Sequence, residues 1–303
     1  LIHFRQKGLT SLKIAILGPA GTYSERAAKA FARRLNIDNG QFELIYTTVN
    51  NSLKLVQNNQ ADYAVIPVEN MIDGLIGTSL DALLEYQDFV KVCDEVHLPI
   101  THVLAVHPDC DWEKVTRIYS HPSALNQCQR TLAELFPDAE LIPVSSTAEA
   151  AAKVKRDPQC LSAAICNHEA ARLENLKIID RNIQDYLVNE TRFLVCALHD
   201  GLPTGNDRTL MAVRYGANQP GQLYQTAKYL AEQDIDLTFV QSRPYKVKPQ
   251  EYVLIYEFIG HRSEPRVEQA LKNIEVQVRT TDGWKKILGS YPKREREEDS
   301  YGI

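Results

Sequence analysis

Asn189-Glu190-Thr191-Arg192-Phe193 sets a hydroxyl, a guanidinium and an aromatic ring side by side where a polar segment enters an apolar run. Arginine presents a planar fork that matches carboxylates, so the string suits an anionic ligand. It also suits the start of a strand with one exposed arginine. Pro67-Val68-Glu69-Asn70-Met71-Ile72-Asp73-Gly74 follows the apolar run 61–67 directly. Its polar side chains then stand at the carboxyl end of a sheet, where α/β clefts open. Asn70 can donate and accept, as a ligand carrying hydroxyl and carboxylate groups requires, although an Asx-type turn is the alternative. Ser120-His121-Pro122 ends a further strand, with Gln127 one to two turns into the next helix. His121 is either a structural hydrogen-bonder or a proton-transfer group. Gly18-Pro19-Ala20-Gly21-Thr22-Tyr23-Ser24-Glu25 is a glycine loop opening a helix, where backbone N–H groups can hold an oxyanion. Its spacing is neither the dinucleotide fingerprint nor a Walker loop, and a tight turn with Ser24 near the cap explains it equally well.

These residues need a scaffold of alternating strands and helices. Lys13–Leu17, 61–67 and 102–106 read as strands, and Ala27, Ala28, Phe31 and Leu35 recur at helical spacing. A second run follows, with strand 118–120, helix 123–135, strand 139–144, helix 147–155 capped at Ser146-Thr147, and strand 161–166. A short helix at 169–173 and a strand at 177–179 lead to the polar segment 182–192 and the apolar run 193–197. Alternation of this kind indicates an α/β fold with a mainly parallel sheet, placed at 13–198. Residues 199–207, with two glycines and a proline, read as a linker. Beyond it come strand 208–215, helix 220–233, strands 235–243 and 251–259, helix 264–274 and strand 276–281. This βαββαβ order is ferredoxin-like and defines a second unit over 207–285. The remainder, 286–303, mixes charges without apolar periodicity and reads as a flexible, solvated tail.

A formal charge of -5 and a pI near 5.9 over 303 residues give no electrostatic reason to expect nucleic acid or an anionic membrane as partner. The six cysteines form no C-x-x-C pair and no Cys/His group at zinc spacing, so they read as buried thiols of a reducing compartment, with no metal. The first dozen residues lack a secretory signal and no segment is apolar enough to span a bilayer, which makes a cytoplasmic location the expectation.

In content and order, GPAGTYSERAA, YAVIPVEN…DG…TSLDALLE, IYSHPSALNQC, STAEAA and NIQDYLVNETRF resemble the prephenate dehydratase family across residues 13–197. The resemblance implies a cofactor-free lyase that removes carbon dioxide and hydroxide from prephenate to leave phenylpyruvate. It implies two α/β lobes about a cleft, similar to type II periplasmic binding proteins. Thr191 falls at the residue associated with protonating the departing hydroxyl, Arg192 at an organiser of the anionic site, and Phe193 at its shield. Asn70, Ser120 and Gln127 match substrate-binding positions, Glu69 borders them, and Thr22 is a lesser member. The second unit resembles an ACT regulatory module. Gly221, Gln222 and Leu223, with Gln241, Ser242, Arg243 and Pro244, match places that bind phenylalanine at an interface of a homodimer or homotetramer.

Four positions depart from the family pattern. Met71 replaces a small hydroxyl residue and Ser123 a glutamine, while Gln222 and Gln241 replace alanine and glutamate. A prephenate decarboxylase, an arogenate dehydratase and a catalytically silent amino-acid sensor are therefore the competing readings, with the intact Thr191-Arg192-Phe193 favouring the dehydratase. No long helical segment precedes Lys13, so a fused chorismate mutase is not expected.

Overall fold

The computed structural model describes residues 11–37, 40–186, 188–216 and 219–297. Most of the segment read as lacking a secretory signal, 1–10, lies outside them, as do 298–303. β1 (Leu12–Leu17), α1 (Tyr23–Arg34), β2 (Phe42–Thr47), α2 (Val49–Gln57) and β3 (Tyr63–Asn70) make a run of parallel pairing in the order β2-β1-β3. The two-residue β4 (Gly74–Leu75) folds back on β3, and α3 (Gly77–Glu85) and β5 (Lys91–Pro99) follow.

The chain then builds a second lobe. Its elements are β6 (Val103–Val106), β7 (Arg117–Ser120), α4 (Pro122–Gln127), α5 (Gln129–Leu135), β8 (Glu140–Pro143), α6 (Thr147–Lys155), β9 (Ser162–Cys166), α7 (His168–Leu173) and β10 (Lys177–Arg181). Their sheet has the order β10-β6-β9-β7-β8. The helix expected over 123–135 is broken at Cys128. Asp185 is the cause: its carboxylate accepts from Arg130 N (3.0 Å) and Thr131 N (3.1 Å), capping a new helix start, while its own N–H takes the Gln127 carbonyl.

β11 (Glu190–Ala197) returns to the first lobe and lies between β3 and β5, antiparallel to both. The sheets are thus mixed, not mainly parallel. The chain re-enters at the edge where β3 ends, so β11 can only run against it. One face of this sheet packs Ile14, Ile16, Val65, Phe193 and Val195 on Phe31 of α1. The other packs Ile66 and Leu194, together with Leu83 of α3, in one core with Leu210, Ile255 and Leu288 of the C-terminal unit.

That unit comprises β12 (Asp207–Arg214), α8 (Gln222–Ala231), β13 (Leu237–Pro244), β14 (Tyr252–Ile259), α9 (Pro265–Arg279) and β15 (Trp284–Pro292), with sheet order β13-β14-β12-β15. The strand expected at 276–281 is mostly the last turn of α9, because Val267, Ala270, Leu271, Ile274 and Val278 continue one buried helical stripe. Residues 286–292, expected in a flexible tail, belong to β15. Gly289 lies so close to β5 that a Cβ there would come within 2.1 Å of the Val92 carbonyl oxygen. Residues 293–297 are not loose either. Arg294 forks onto Asp94 (2.8 and 2.9 Å), and Glu297 N donates to the His97 carbonyl (2.9 Å) along the outer edge of β5. Charge pairing holds this segment, which is why apolar periodicity did not reveal it. The linker is pinned as well, through Gly201 N to Ser290 O (2.8 Å) and Asp200 to Arg262.

Cys110 and Cys160 are joined as a disulfide, which corrects the reading of six reduced thiols; Cys93, Cys128, Cys166 and Cys196 are free and buried. Among the described residues no helix is long and apolar enough to cross a membrane.

Candidate functional site

Asn70 and Thr191 meet because of one extra residue. Along β11 and β3 the register pairs Val195 with Val65, Leu194 with Ile66 and Phe193 with Pro67, then skips Val68 and resumes with Arg192 opposite Glu69 and Thr191 opposite Asn70. A bulge of this kind flips every later side chain to the other face. It turns Asn70 onto the Thr191 face.

The amide of Asn70 is the hub of a hydrogen-bond network. Its Nδ2 donates to Thr191 Oγ1 (2.9 Å), Asn189 Oδ1 (3.0 Å) and the Glu190 carbonyl (3.1 Å), and its Oδ1 accepts from Ile72 N (3.0 Å) and Asp73 N (2.9 Å). The Asx turn weighed in the sequence is therefore present together with the contact to Thr191. Thr191 is 8 % exposed. Asn189 Nδ2 donates in turn to Gln127 Oε1 (2.8 Å), which carries the network into the second lobe. Gln127 Nε2 donates to Asp73 Oδ2 (2.7 Å) and Ser123 Oγ (3.0 Å), and Ser123 itself bonds Asp73. Asp73 of the first lobe thus clasps α4 of the second across the cleft. His102 Nε2 lies 3.0 Å from Gln127 Oε1, and as an amide oxygen only accepts, that nitrogen carries the proton.

Asn70, Thr191 and Gln127 are brought together. Other residues anticipated for the site face elsewhere. Arg192 alternates to the opposite face, where Nε donates to Glu95 Oε2 (2.8 Å), Nη1 to Glu257 Oε2 (3.1 Å) and Nη2 to the Tyr291 hydroxyl (3.1 Å). The expected organiser of the anionic pocket instead ties β11 to the C-terminal sheet. Phe193, 1 % exposed, fills the core under α1 and does not shield the pocket. Glu69, half-buried, pairs with Arg192 in the register and so shares that face. Ser120 is fully buried and donates to the Ile165 carbonyl (2.7 Å), fastening β7 to β9. Thr22 precedes α1 and turns its hydroxyl back to the Pro19 carbonyl (3.0 Å). His121 caps α4, its Nδ1 accepting from Ser123 N (3.3 Å). Met71, next to Asn70 in the chain, is 65 % exposed.

Asp73, Asn189 and His102 were not singled out from the sequence. The first two lie inside the quoted strings, but their contacts across the lobes join residues fifty or more positions apart. His102 carried no local signal.

In the C-terminal unit, Gly221 (φ 88°) turns the chain into α8, which Gln222 and Leu223 open. Gln241 to Pro244 form the second half of the edge strand β13. Arg243 Nε donates to Asp81 of α3 (2.7 Å), and its guanidinium lies over Gly77, where a Cβ would approach to 2.8 Å. Arg243 therefore docks on the first lobe.

Two histidines near the network are shifted in opposite directions. Burial holds His102 below the ordinary value of 6.5 against the opposing bond to Gln127. Burial would also lower His97, but its bonds to Glu95 and Glu190 outweigh this and raise it above 6.5. A lowered histidine makes the unfolded chain bind more protons just below 6.5, so stability there rises with pH; a raised one makes the native state bind more above 6.5, so stability falls. Unfolding free energy is expected to peak near pH 6.5. In urea titrations across pH, His97→Gln should flatten the alkaline limb and His102→Gln the acid limb. Unaltered limbs in both variants would refute the assignment.

Residues 14–200 match the family model described as prephenate dehydratase. The chain is 38 % identical over 287 residues to a bifunctional chorismate mutase/prephenate dehydratase of Aquifex aeolicus, covering 93 % of this chain and 74 % of that protein. It is 32 % identical over 277 residues to a prephenate dehydratase of Methanocaldococcus jannaschii, covering 90 % and 96 %. Among solved structures, a prephenate dehydratase from Arthrobacter aurescens in complex with L-Phe superposes with a TM-score of 0.83 at 29 % identity, covering 93 % of this chain and 90 % of that one.

Proposed function

The chain belongs to the prephenate dehydratase family, and from that membership we propose that Thr191 supplies the proton in the conversion of prephenate to phenylpyruvate. The reaction takes up one proton and releases carbon dioxide and water as the ring becomes aromatic. The hydrogen bond from Asn70 Nδ2 to Thr191 Oγ1 (2.9 Å) is the observation that carries this reading. Because Oγ1 accepts there, its own proton is available to the leaving hydroxyl, and the amide stabilises the oxygen as negative charge develops. The burial of Thr191 keeps water from competing. Gln127 and Asn189 hold Asn70 in register, and the glycine loop before α1, with Thr22, lies at the carboxyl edge where a helix N-terminus favours a carboxylate.

The βαββαβ unit is an ACT-type sensor in this proposal, with phenylalanine as effector of a homodimer or homotetramer. The L-Phe complex of the Arthrobacter protein supports it. Gly221, Gln222 and Leu223 with Gln241, Ser242 and Pro244 are its effector-binding residues, while Arg243 couples the sensor to α3 through Asp81. An effector inhibits only by binding the less active arrangement better.

Purified protein given prephenate should release phenylpyruvate, read by its absorbance in base, at a rate that falls when phenylalanine is added. A non-aromatic keto acid as product would replace dehydration with decarboxylation. Turnover only of arogenate would reassign the substrate, and a rate indifferent to phenylalanine with no binding would remove the sensor.

A further inference from the structure

The loop after β6 and the loop before β9 meet on the far side of the second lobe. There the ligand-type atoms of His107, Cys110 and Cys160 all lie within 4.8 Å of one another. The Cys110 N–H donates to the His107 carbonyl (3.0 Å), a turn that sets both side chains on one side of the chain. Cys160 holds a φ of +56°, a conformation unusual for a residue with a side chain, and its Cα is 5.1 Å from that of Cys110. No zinc-type spacing announces this group, because Cys160 stands fifty residues beyond Cys110.

We propose that His107, Cys110 and Cys160 form a redox-gated metal site, which takes one zinc-class divalent ion when the two sulfurs are reduced and none while they are bonded to each other. Two thiolates and an imidazole are a donor set zinc favours, and a tetrahedral ion needs one more ligand. His107 Nδ1 faces Asp109, with the backbone N–H at 3.3 Å and a carboxylate oxygen at 3.6 Å. In the disulfide form Nδ1 accepts the Asp109 N–H and Nε2 carries the ring proton; binding an ion at Nε2 moves that proton to Nδ1, which then donates to the Asp109 carboxylate, the outer partner that ligating histidines commonly have. Cys110 is buried, whereas Cys160 and His107 are half-buried, so the fourth position is open to water. Gating follows from thiol–disulfide exchange. A small-molecule disulfide takes two electrons from the pair and is itself reduced to two thiols, the protein sulfurs become bonded, and the ion is released. The other four cysteines do not compete. Each is buried, none joins such a group among the described residues, and burial pushes Cys128 and Cys166 up to about 12.

Cobalt(II), whose thiolate complexes absorb in the near ultraviolet, is the probe. The full chain, reduced with a phosphine and freed of reductant, should take up one equivalent with a sulfur-to-cobalt charge-transfer band. Oxidised glutathione should abolish the band and release the ion. Cys110→Ser should lose the band yet keep the turnover of the parent protein, and His107→Ala should keep both sulfurs but bind more than about tenfold more weakly. A reduced protein without the band, or a band that survives in Cys110→Ser, would overturn the proposal.

Discussion

Thr191→Ala is expected to lower kcat by about a hundred- to ten-thousand-fold, the span over which positioned general acids act, while KM changes little. The asymmetry follows from the bond geometry. The Thr191 hydroxyl is held by Asn70, and in the proposed mechanism it gives its proton in the transition state, so the ground-state complex loses little when it is removed. Thr191→Ser keeps the hydroxyl on the same backbone position and should recover most of the rate. Steady-state kinetics on prephenate, with circular dichroism to establish the fold, would check this. A correctly folded Thr191→Ala protein with the parent kcat would take Thr191 out of the mechanism.

Arg192→Ala should instead be read in stability. Burial would push Glu95 up, but the bond to His97 and the charges of Arg192 and Arg208 outweigh it and hold its carboxyl at about 2. Glu257, 2 % exposed, is likewise kept ionised, with Arg192 and Arg208 overcoming its burial. Removing Arg192 leaves Glu95 and Glu257 to Arg208, with His97 beside Glu95, so the loss should be a part of the about 3–5 kcal/mol that a fully broken buried pair costs. Urea denaturation of the variant should show the lower midpoint. In a double-mutant cycle, Glu257→Gln should recover part of the loss, since it removes one of the two carboxylates that then share Arg208. An Arg192→Ala protein with an unchanged midpoint and a raised KM would return this arginine to the substrate pocket.

The contrast between neighbouring residues 191 and 192 shows what the chain discloses by itself. That Thr191, Asn70 and Gln127 stand close together was legible, because each lies in a short string at or just beyond the end of a strand. The direction of Arg192 was not, since it depends on alternation along β11 and on Glu257, sixty-five positions onward. The bulge at Val68 was equally hidden, as nothing in Pro-Val-Glu-Asn marks which residue the ladder skips. Periodicity located α1 and α6 but placed the last strand too early, reading the Val276 and Val278 end of α9 as extended. The docked segment 293–297 escaped because ion pairs with Asp94 leave no apolar signature. The disulfide joins loops that only the second-lobe sheet draws together.

The position of β11 bears on how the molecule is made. Its neighbours β3 and β5 leave the ribosome first, yet they cannot close on each other, because the strand that belongs between them is translated only after the entire second lobe. A nascent chain ending near residue 185 therefore carries a half-built sheet with an open seam. Such contacts between distant parts of the sequence slow folding and leave sticky intermediates. Expression at low temperature or with added chaperones should accordingly raise the soluble yield, and truncations that end before β11 should precipitate.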